Sequence, residues 1–291
     1  MVEKKNNLFS KNKYIKGNLK FAVIGHIEWI NFLKVDLLPE PGIITHAKTS
    51  LELPAGGGAL IAKTLYELSN NEIHFFTSLG KDYYGEKSFD FFKKIGINLH
   101  VAWRSEPTRK GFSLIDKKGE RSITIIGKRL APSFNDDLDW EILRDMDGIF
   151  ITAGDNNLFK KAREANILCT TPRVGIDLIN QSKVNLDAII GSNLDPDESF
   201  LLSDLNEKHR YVIKTEGEKG GICIPGGRFN AINNNSQKID SYGCGDSFAA
   251  GILYGLTESW PIEKALKLGT VLGRNCIEHF GPYPNMKKII A

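Results

Sequence analysis

The sequence predicts an α/β fold: a mostly parallel central sheet with helices on both faces, and a small antiparallel sheet standing off it. Three observations carry this. Short apolar runs of strand type alternate with segments of helical period through most of the chain. Two stretches, 29–52 and 98–128, break that alternation with extended patterns and turns. At 291 residues, 41% hydrophobic and 25% charged, the chain can bury one large core with an excursion.

Taken in order, residues 1–18 read as a solvated tail rich in lysine and asparagine, without the apolar centre of a signal peptide. Residues 19–25 form the first buried strand, ended by Gly25. Ligands of open α/β sheets bind beyond the carboxyl ends of strands, which singles out His26, Glu28 and Asn31. Glu28 is either a ligand group or an exposed strand residue. Residues 29–52, with Pro39, Pro41 and Gly42, lack a helical period and read as strands and turns. Pro54-Ala55-Gly56-Gly57-Gly58-Ala59 then introduces a helix with Leu60, Ile61, Leu65 and Leu68 on one apolar stripe. Glycines at a helix mouth let a ligand approach the backbone, or let the helix pack on the sheet.

Residues 73–79 are a second strand, and Gly80-Lys81-Asp82-Tyr83-Tyr84-Gly85 is a turn before a helix over 86–95. His74 packs or faces solvent, since no second metal ligand sits at a suitable spacing. Within 98–128, alternation around Phe112 and Leu114, the turn Asp116-Lys117-Lys118-Gly119 and the run 122–126 read as a hairpin. Arg104, Arg109 and Lys110 read as its solvated face, with contact to an anionic substrate as the alternative. A short helix at 140–143, strands at 148–152, 167–169, 174–176 and 188–191, and a helix over 157–164 continue the alternation. A strand at 211–215 leads into Thr215-Glu216-Gly217-Glu218-Lys219-Gly220-Gly221, and an amphipathic helix over 262–279 closes the chain.

The chemistry concentrates in Asp240-Ser241-Tyr242-Gly243-Cys244-Gly245-Asp246-Ser247-Phe248. Two glycines around one small residue make a tight turn, and the small and apolar run that follows is a helix. Unpaired N–H groups at a helix start, with the dipole behind them, attract a phosphate or another oxyanion. A carboxylate beside such a site repels the anion unless it has work to do, such as taking a proton from an attacking hydroxyl. The alternative is that Asp246 only favours the helix dipole.

This run closely resembles the C-terminal signature of the ribokinase-like (PfkB) carbohydrate kinases, usually Asp-Thr-x-Gly-Ala-Gly-Asp-x-Phe. The resemblance implies a ribokinase-like three-layer sandwich over 19–291, with lid strands from about 29–52 and 98–128. It implies Asp246 as general base and Gly243, Cys244 and Gly245 as an anion hole. The Thr-x-Gly-x-x-Gly loop about 25 residues upstream of Asp240 then implies nucleotide contacts at Thr215, Gly217 and Gly220, with Asn193 and Asn275 beside them. Glu28, Gly56 and Gly57 fall in the substrate-binding stretches. The pattern is broken at Ile30, where the family has aspartate, at Leu60, where it has asparagine, and at Pro196, where it has a glutamate that orients magnesium and phosphates. Asp195, Asp197 and Glu198 stay open as replacements, and no metal ligand is assigned.

The implied activity is ATP-dependent phosphorylation of an alcohol on a small molecule, a sugar first, with ATP and Mg2+ as cofactors and a monovalent cation allowed. A nucleoside or vitamin-like alcohol kinase and a catalytically silent sugar or nucleotide binder are the alternatives. In some relatives the lid pairs two subunits, which implies a homodimer. A net charge of +3 without a basic block argues against nucleic acid, and no apolar run reaches membrane-spanning length. Four cysteines without metal or redox spacing fit reduced thiols in a cytoplasm. No Gly-x-x-x-x-Gly-Lys-Ser/Thr loop is present, which argues against phosphoryl transfer of that design.

Overall fold

The computed structural model describes residues 19–68, 71–232 and 238–286; the tail expected over 1–18 lies outside them. In chain order the elements are β1 (Lys20–Ile24), β2 (Glu28–Lys34), β3 (Thr49–Ala55), α1 (Gly57–Leu68), β4 (Glu72–Gly80), α2 (Tyr83–Ile95), β5 (Asn98–Arg104), β6 (Lys110–Ile115) and β7 (Arg121–Ile126). They continue as β8 (Gly148–Ile151), α3 (Asn156–Ala162), β9 (Ile167–Thr170), α4 (Ile176–Ser182), β10 (Ala188–Ser192), β11 (Val212–Thr215), β12 (Gly221–Ile224), β13 (Gly227–Phe229), α5 (Cys244–Thr257) and α6 (Ile262–Ile277).

Nine strands form the central sheet in the order β13-β12-β11-β10-β9-β8-β1-β4-β5. The strands pair in parallel from β11 through to β5, and at the other edge β12 alone is reversed, pairing antiparallel with both β11 and β13. Side-chain alternation divides the core into two layers. Phe21, Val23, Phe75 and Phe150 join α1, α2, α5 and α6 on one face. Ala22, Ile24, Phe76, Ile149 and Ile151 join α3 and α4 on the other. This is the three-layer sandwich expected. Helices α5 and α6 touch through glycine, since a Cβ on Gly251 would lie 2.7 Å from Gly269 Cα.

The lid is the four-stranded sheet β3-β2-β6-β7. Its β6–β7 hairpin turns where expected: Gly119 has φ +75° and its N–H donates to Asp116 O at 3.0 Å. The β2–β3 and β6–β7 pairs are antiparallel, whereas β2 and β6 pair in parallel. Residues 98–104 do not belong to the lid. They form β5, which pairs with β4 along His74–Gly80 and closes the central sheet. Local alternation alone cannot distinguish an edge strand of one sheet from a strand of another. Asp82 ties the turn together by accepting from the N–H groups of Gly85 at 2.8 Å and Thr108 at 2.7 Å. His74 packs as a structural residue, its Nδ1 3.0 Å from His100 Nε2.

The strand expected at 174–176 is absent. Pro172 starts a 3-10 turn capped by the Thr171 side chain, and Gly175 at φ +99° turns the chain directly into α4. Proline favours the first position of such a turn because its missing N–H costs nothing there.

Candidate functional site

A cleft of about 770 Å³ opens beyond the carboxyl ends of the central strands and beneath the lid. Phe150, Thr152, Thr171, Ile190, Ser192 and Thr215 bring the ends of β8, β9, β10 and β11 to it, and His26 and Glu28 follow β1. This is where an open α/β sheet binds its ligands, because consecutive strands there send their chains to opposite faces.

The start of α5 forms one wall. Asp240 is fully buried, its two carboxylate oxygens accepting from the N–H groups of Tyr242 at 2.9 Å and Gly281 at 3.1 Å, which pins the approach to the turn. Gly243 then takes φ +81° as N-cap, and a Cβ there would press to 2.7 Å from Leu60 Cδ2. Ser247 N–H makes the first helical bond, to Gly243 O at 2.9 Å, and Cys244 N–H reaches Ser241 O only at 3.5 Å. Among the described residues the N–H groups of Gly245 and Asp246 have no backbone partner. A Cβ on Gly245 would meet nothing within 4 Å, so its backbone stands open. These are helix-start donors available to an anion.

Asp246 lies on the cleft wall with Gly57 close against it; a Cβ on Gly57 would sit 2.9 Å from Asp246 Oδ1. Burial pushes the Asp246 pKa up to about 6, and the Glu198 charge adds to the rise while Arg173 and Arg121 oppose it. Glu198 reaches the site over the 3-10 turn Pro196–Glu198, where its Oε2 accepts from Ser192 N–H at 2.6 Å and its Oε1 from Arg173 Nε at 2.6 Å. Of the three acids left open by the sequence, Glu198 is the least exposed, at 11% of its side chain. Arg173 also pairs with Asp195, and Asp197 lies 4.0 Å from it.

Glu28 is buried rather than an exposed strand residue. Its Oε1 accepts from Tyr242 OH at 3.4 Å and its Oε2 lies 3.3 Å from Arg109 Nε, outside hydrogen-bond alignment, so that N–H stays unsatisfied. Burial raises the Glu28 pKa against the pull of Arg109. His26, also buried, is held neutral: burial, then Arg129 and Arg109, push its pKa well down.

The structure brings Asp246, Gly243, Cys244, Gly245, Thr215, Gly217, Glu28, Gly56 and Gly57 together around the cleft. Three other candidates stand apart from its lining. Gly220, at φ +83°, packs its backbone against β13; Asn193 Nδ2 donates to Glu216 Oε1 at 3.1 Å; Asn275 Nδ2 donates to Met286 Sδ at 3.3 Å. Ile30 and Leu60, which stand where the resemblance expects polar groups, are both buried in the apolar joint between lid and body.

Arg109 was expected on a solvated face and instead lines the cleft, joined by Arg121, Arg129 and Arg173. Arg104, from the same expected face, forms a two-pronged pair with Asp136 at 2.5 and 2.6 Å. Position after a strand end was the available signal for Arg173. Arg121 and Arg129 had none, because their approach depends on how the lid folds over.

Among the described residues no cluster of three or more His, Cys, Asp or Glu could cage a metal ion, and no helix is long and apolar enough to cross a membrane.

The model of the pfkB family of carbohydrate kinases matches residues 18–171 and 173–289. A ribokinase of Lactococcus lactis is 25% identical over 289 residues, covering 93% of this chain and 94% of that protein. In solved structures, adenosine kinase from Sinorhizobium meliloti superposes with a TM-score of 0.74 at 17% identity, covering 91% of this chain and 96% of that one. Arabidopsis thaliana ribokinase complexed with ribose and ATP superposes with a TM-score of 0.68 at 20% identity, covering 94% and 98%.

Proposed function

The chain belongs to the pfkB family of carbohydrate kinases, and from that premise we propose that it transfers the γ-phosphoryl group of ATP to an alcohol on a small molecule. The observation that carries this reading is Asp246: a carboxylate raised to about 6, beside unpaired helix-start amides, in a cleft between sheet and lid. A base with that pKa is ionised at neutral pH yet basic enough to accept a hydroxyl proton.

In the proposed reaction the acceptor hydroxyl gives its proton to Asp246. Its oxygen forms the new bond to the γ-phosphorus as the bond to the leaving ADP oxygen breaks. The amides of Gly243, Cys244, Gly245 and Asp246 form the anion hole that stabilises charge on the transferring group. Thr215 and Gly217, at the cleft edge, border the nucleotide. Magnesium bound with ATP would neutralise charge on the phosphates. Oxygen ligands suit it, and it keeps much of its water shell, so Asp197 and Glu198 would hold it without a protein cage. Glu28, Gly56 and Gly57 face the acceptor. Closure of the lid sheet over the cleft excludes water, which would otherwise compete as acceptor.

Both a sugar and a nucleoside fit a pocket of this size. Burial of Ile30 and Leu60 in the lid joint removes two positions that could have bound sugar hydroxyls, which favours a search beyond simple sugars. The test is ADP release from ATP across sugars, nucleosides and hydroxymethyl vitamins, run beside Asp246→Asn. Turnover with one class, lowered about 100- to 10,000-fold in the variant, supports the reading. Nucleotide binding without turnover on any alcohol, charged or neutral, would make the chain a silent binder instead.

A further inference from the structure

Three guanidinium groups enter the cleft from the lid and its exit: Arg109 precedes β6, Arg121 opens β7 and Arg129 follows it. The carboxylate that meets them there is Glu28, through its approach to Arg109. The fourth arginine, Arg173, already faces Asp195, Asp197 and Glu198. Arg129 has no hydrogen bond or ion pair among the described residues, and the Nε atoms of both Arg109 and Arg129 are buried without a partner. Buried donors are almost always satisfied, so the two bare Nε groups call for an acceptor that the chain does not supply, even though Glu28 and Asp197 partly offset the Arg129 charge. Burial and the adjacent Arg109 charge also push the Arg129 pKa down, so an anion at this point relieves both.

Arg109 and Arg129 line the cleft that holds Asp246, and they are the leading charges acting on buried His26, ahead of Arg173. Guanidinium forks match carboxylate and phosphate oxygens with two parallel donors, a geometry that neutral hydroxyls do not repay.

We propose that the acceptor of this kinase is an acidic alcohol, a sugar or nucleoside bearing a carboxylate or phosphate, and that Arg109 and Arg129 bind that acidic group while Asp246 faces the hydroxyl. The proposal rests on the kinase reading for the identity of the reacting end, but its binding test does not.

The test uses the full chain saturated with magnesium and a non-hydrolysable ATP analogue, so that nucleotide phosphates already occupy their own site. Calorimetric titration then compares ribose with ribonate and ribose 5-phosphate, glucose with gluconate and glucose 6-phosphate, and adenosine with its 5′-monophosphate. At least one acidic probe should bind about 10- to 100-fold more tightly than its neutral parent, the range for charge-assisted hydrogen bonds. Arg109→Gln and Arg129→Gln should each reduce that preference, Arg129→Lys should retain part of it, and affinity for the ATP analogue should be unchanged in all three. Equal affinity for the neutral parents refutes the proposal, as does no binding by any acidic probe. A preference untouched by the substitutions, in variants whose melting shows them folded, refutes it too. If instead the variants lose the ATP analogue and not the preference, the arginines serve the nucleotide and the proposal fails. Acidic probes that bind as expected, with no alcohol, acidic or neutral, phosphorylated, overturn the kinase reading alone. ADP release with a neutral alcohol and not with its acidic counterpart overturns this proposal alone.

Discussion

Asp246 should cost the protein stability at the pH where it is most useful, and Asp246→Asn should expose that cost. In an unfolded chain the aspartate has its ordinary value of 3.8, whereas burial and Glu198 raise it to about 6 in the fold. The folded state thus holds the proton more tightly than the unfolded state. Between the two values stability falls as pH rises, and above pH 6 the penalty is fully present. A shift of about two units at 1.36 kcal/mol each sets an upper bound of about 3 kcal/mol, and because the carboxylate borders an open cleft, solvent screening reduces this to about 1–2 kcal/mol. Asparagine keeps the shape without the charge. For a domain of this size the variant should melt about 2–8 °C above the parent at pH 8, and the gap should close as the pH is lowered toward 3.8. The assay is paired thermal unfolding from pH 4 to pH 8, with ADP release measured on the same samples. A variant no more stable at pH 8, or equally stabilised at every pH, would refute the assignment of a raised carboxylate.

Three further outcomes follow from neighbouring contacts. Glu198→Gln removes the charge that supplements burial in raising Asp246, so the acid limb of kcat/KM should move below about pH 6; an unmoved limb would mean that Glu198 does not act on the base. Gly57→Ala places a methyl 2.9 Å from Asp246 Oδ1. The carboxylate can swing aside, so melting should change little while turnover falls about 10- to 100-fold through misplacement; full activity would count against Asp246 as base. Gly251→Ala drives a Cβ to 2.7 Å from Gly269 Cα, where backbone cannot yield cheaply. Urea unfolding should show a loss of about 1–3 kcal/mol, and an unaltered midpoint would mean that α5 and α6 part without cost.

The residues around Asp246 are legible in the sequence because their chemistry is local. Two glycines, a small residue and a carboxylate within four positions specify a turn into a helix whoever their neighbours are. The same is true of the alternation that predicts the central sheet and of the Asp116–Gly119 turn. Glu198 was one of three open choices for the opposite reason. All three line the cleft, and which of them turns inward onto Ser192 N–H and Arg173 depends on a 3-10 turn started by Pro196 and on Arg173 arriving from another strand end.

Sequence pattern by itself determined the fold class, the helix-start motif and the side of the sheet on which ligands should bind, because each follows from periodicity or backbone conformation over a few residues. Tertiary structure alone decided that residues 98–104 close the central sheet, that Ile30 and Leu60 are buried in the lid joint, and that four arginines converge on the cleft. An arginine on a strand looks the same in sequence whether it faces solvent or a pocket. Its partners are set by chain segments tens of residues away, and only packing the lid onto the body brings them within reach.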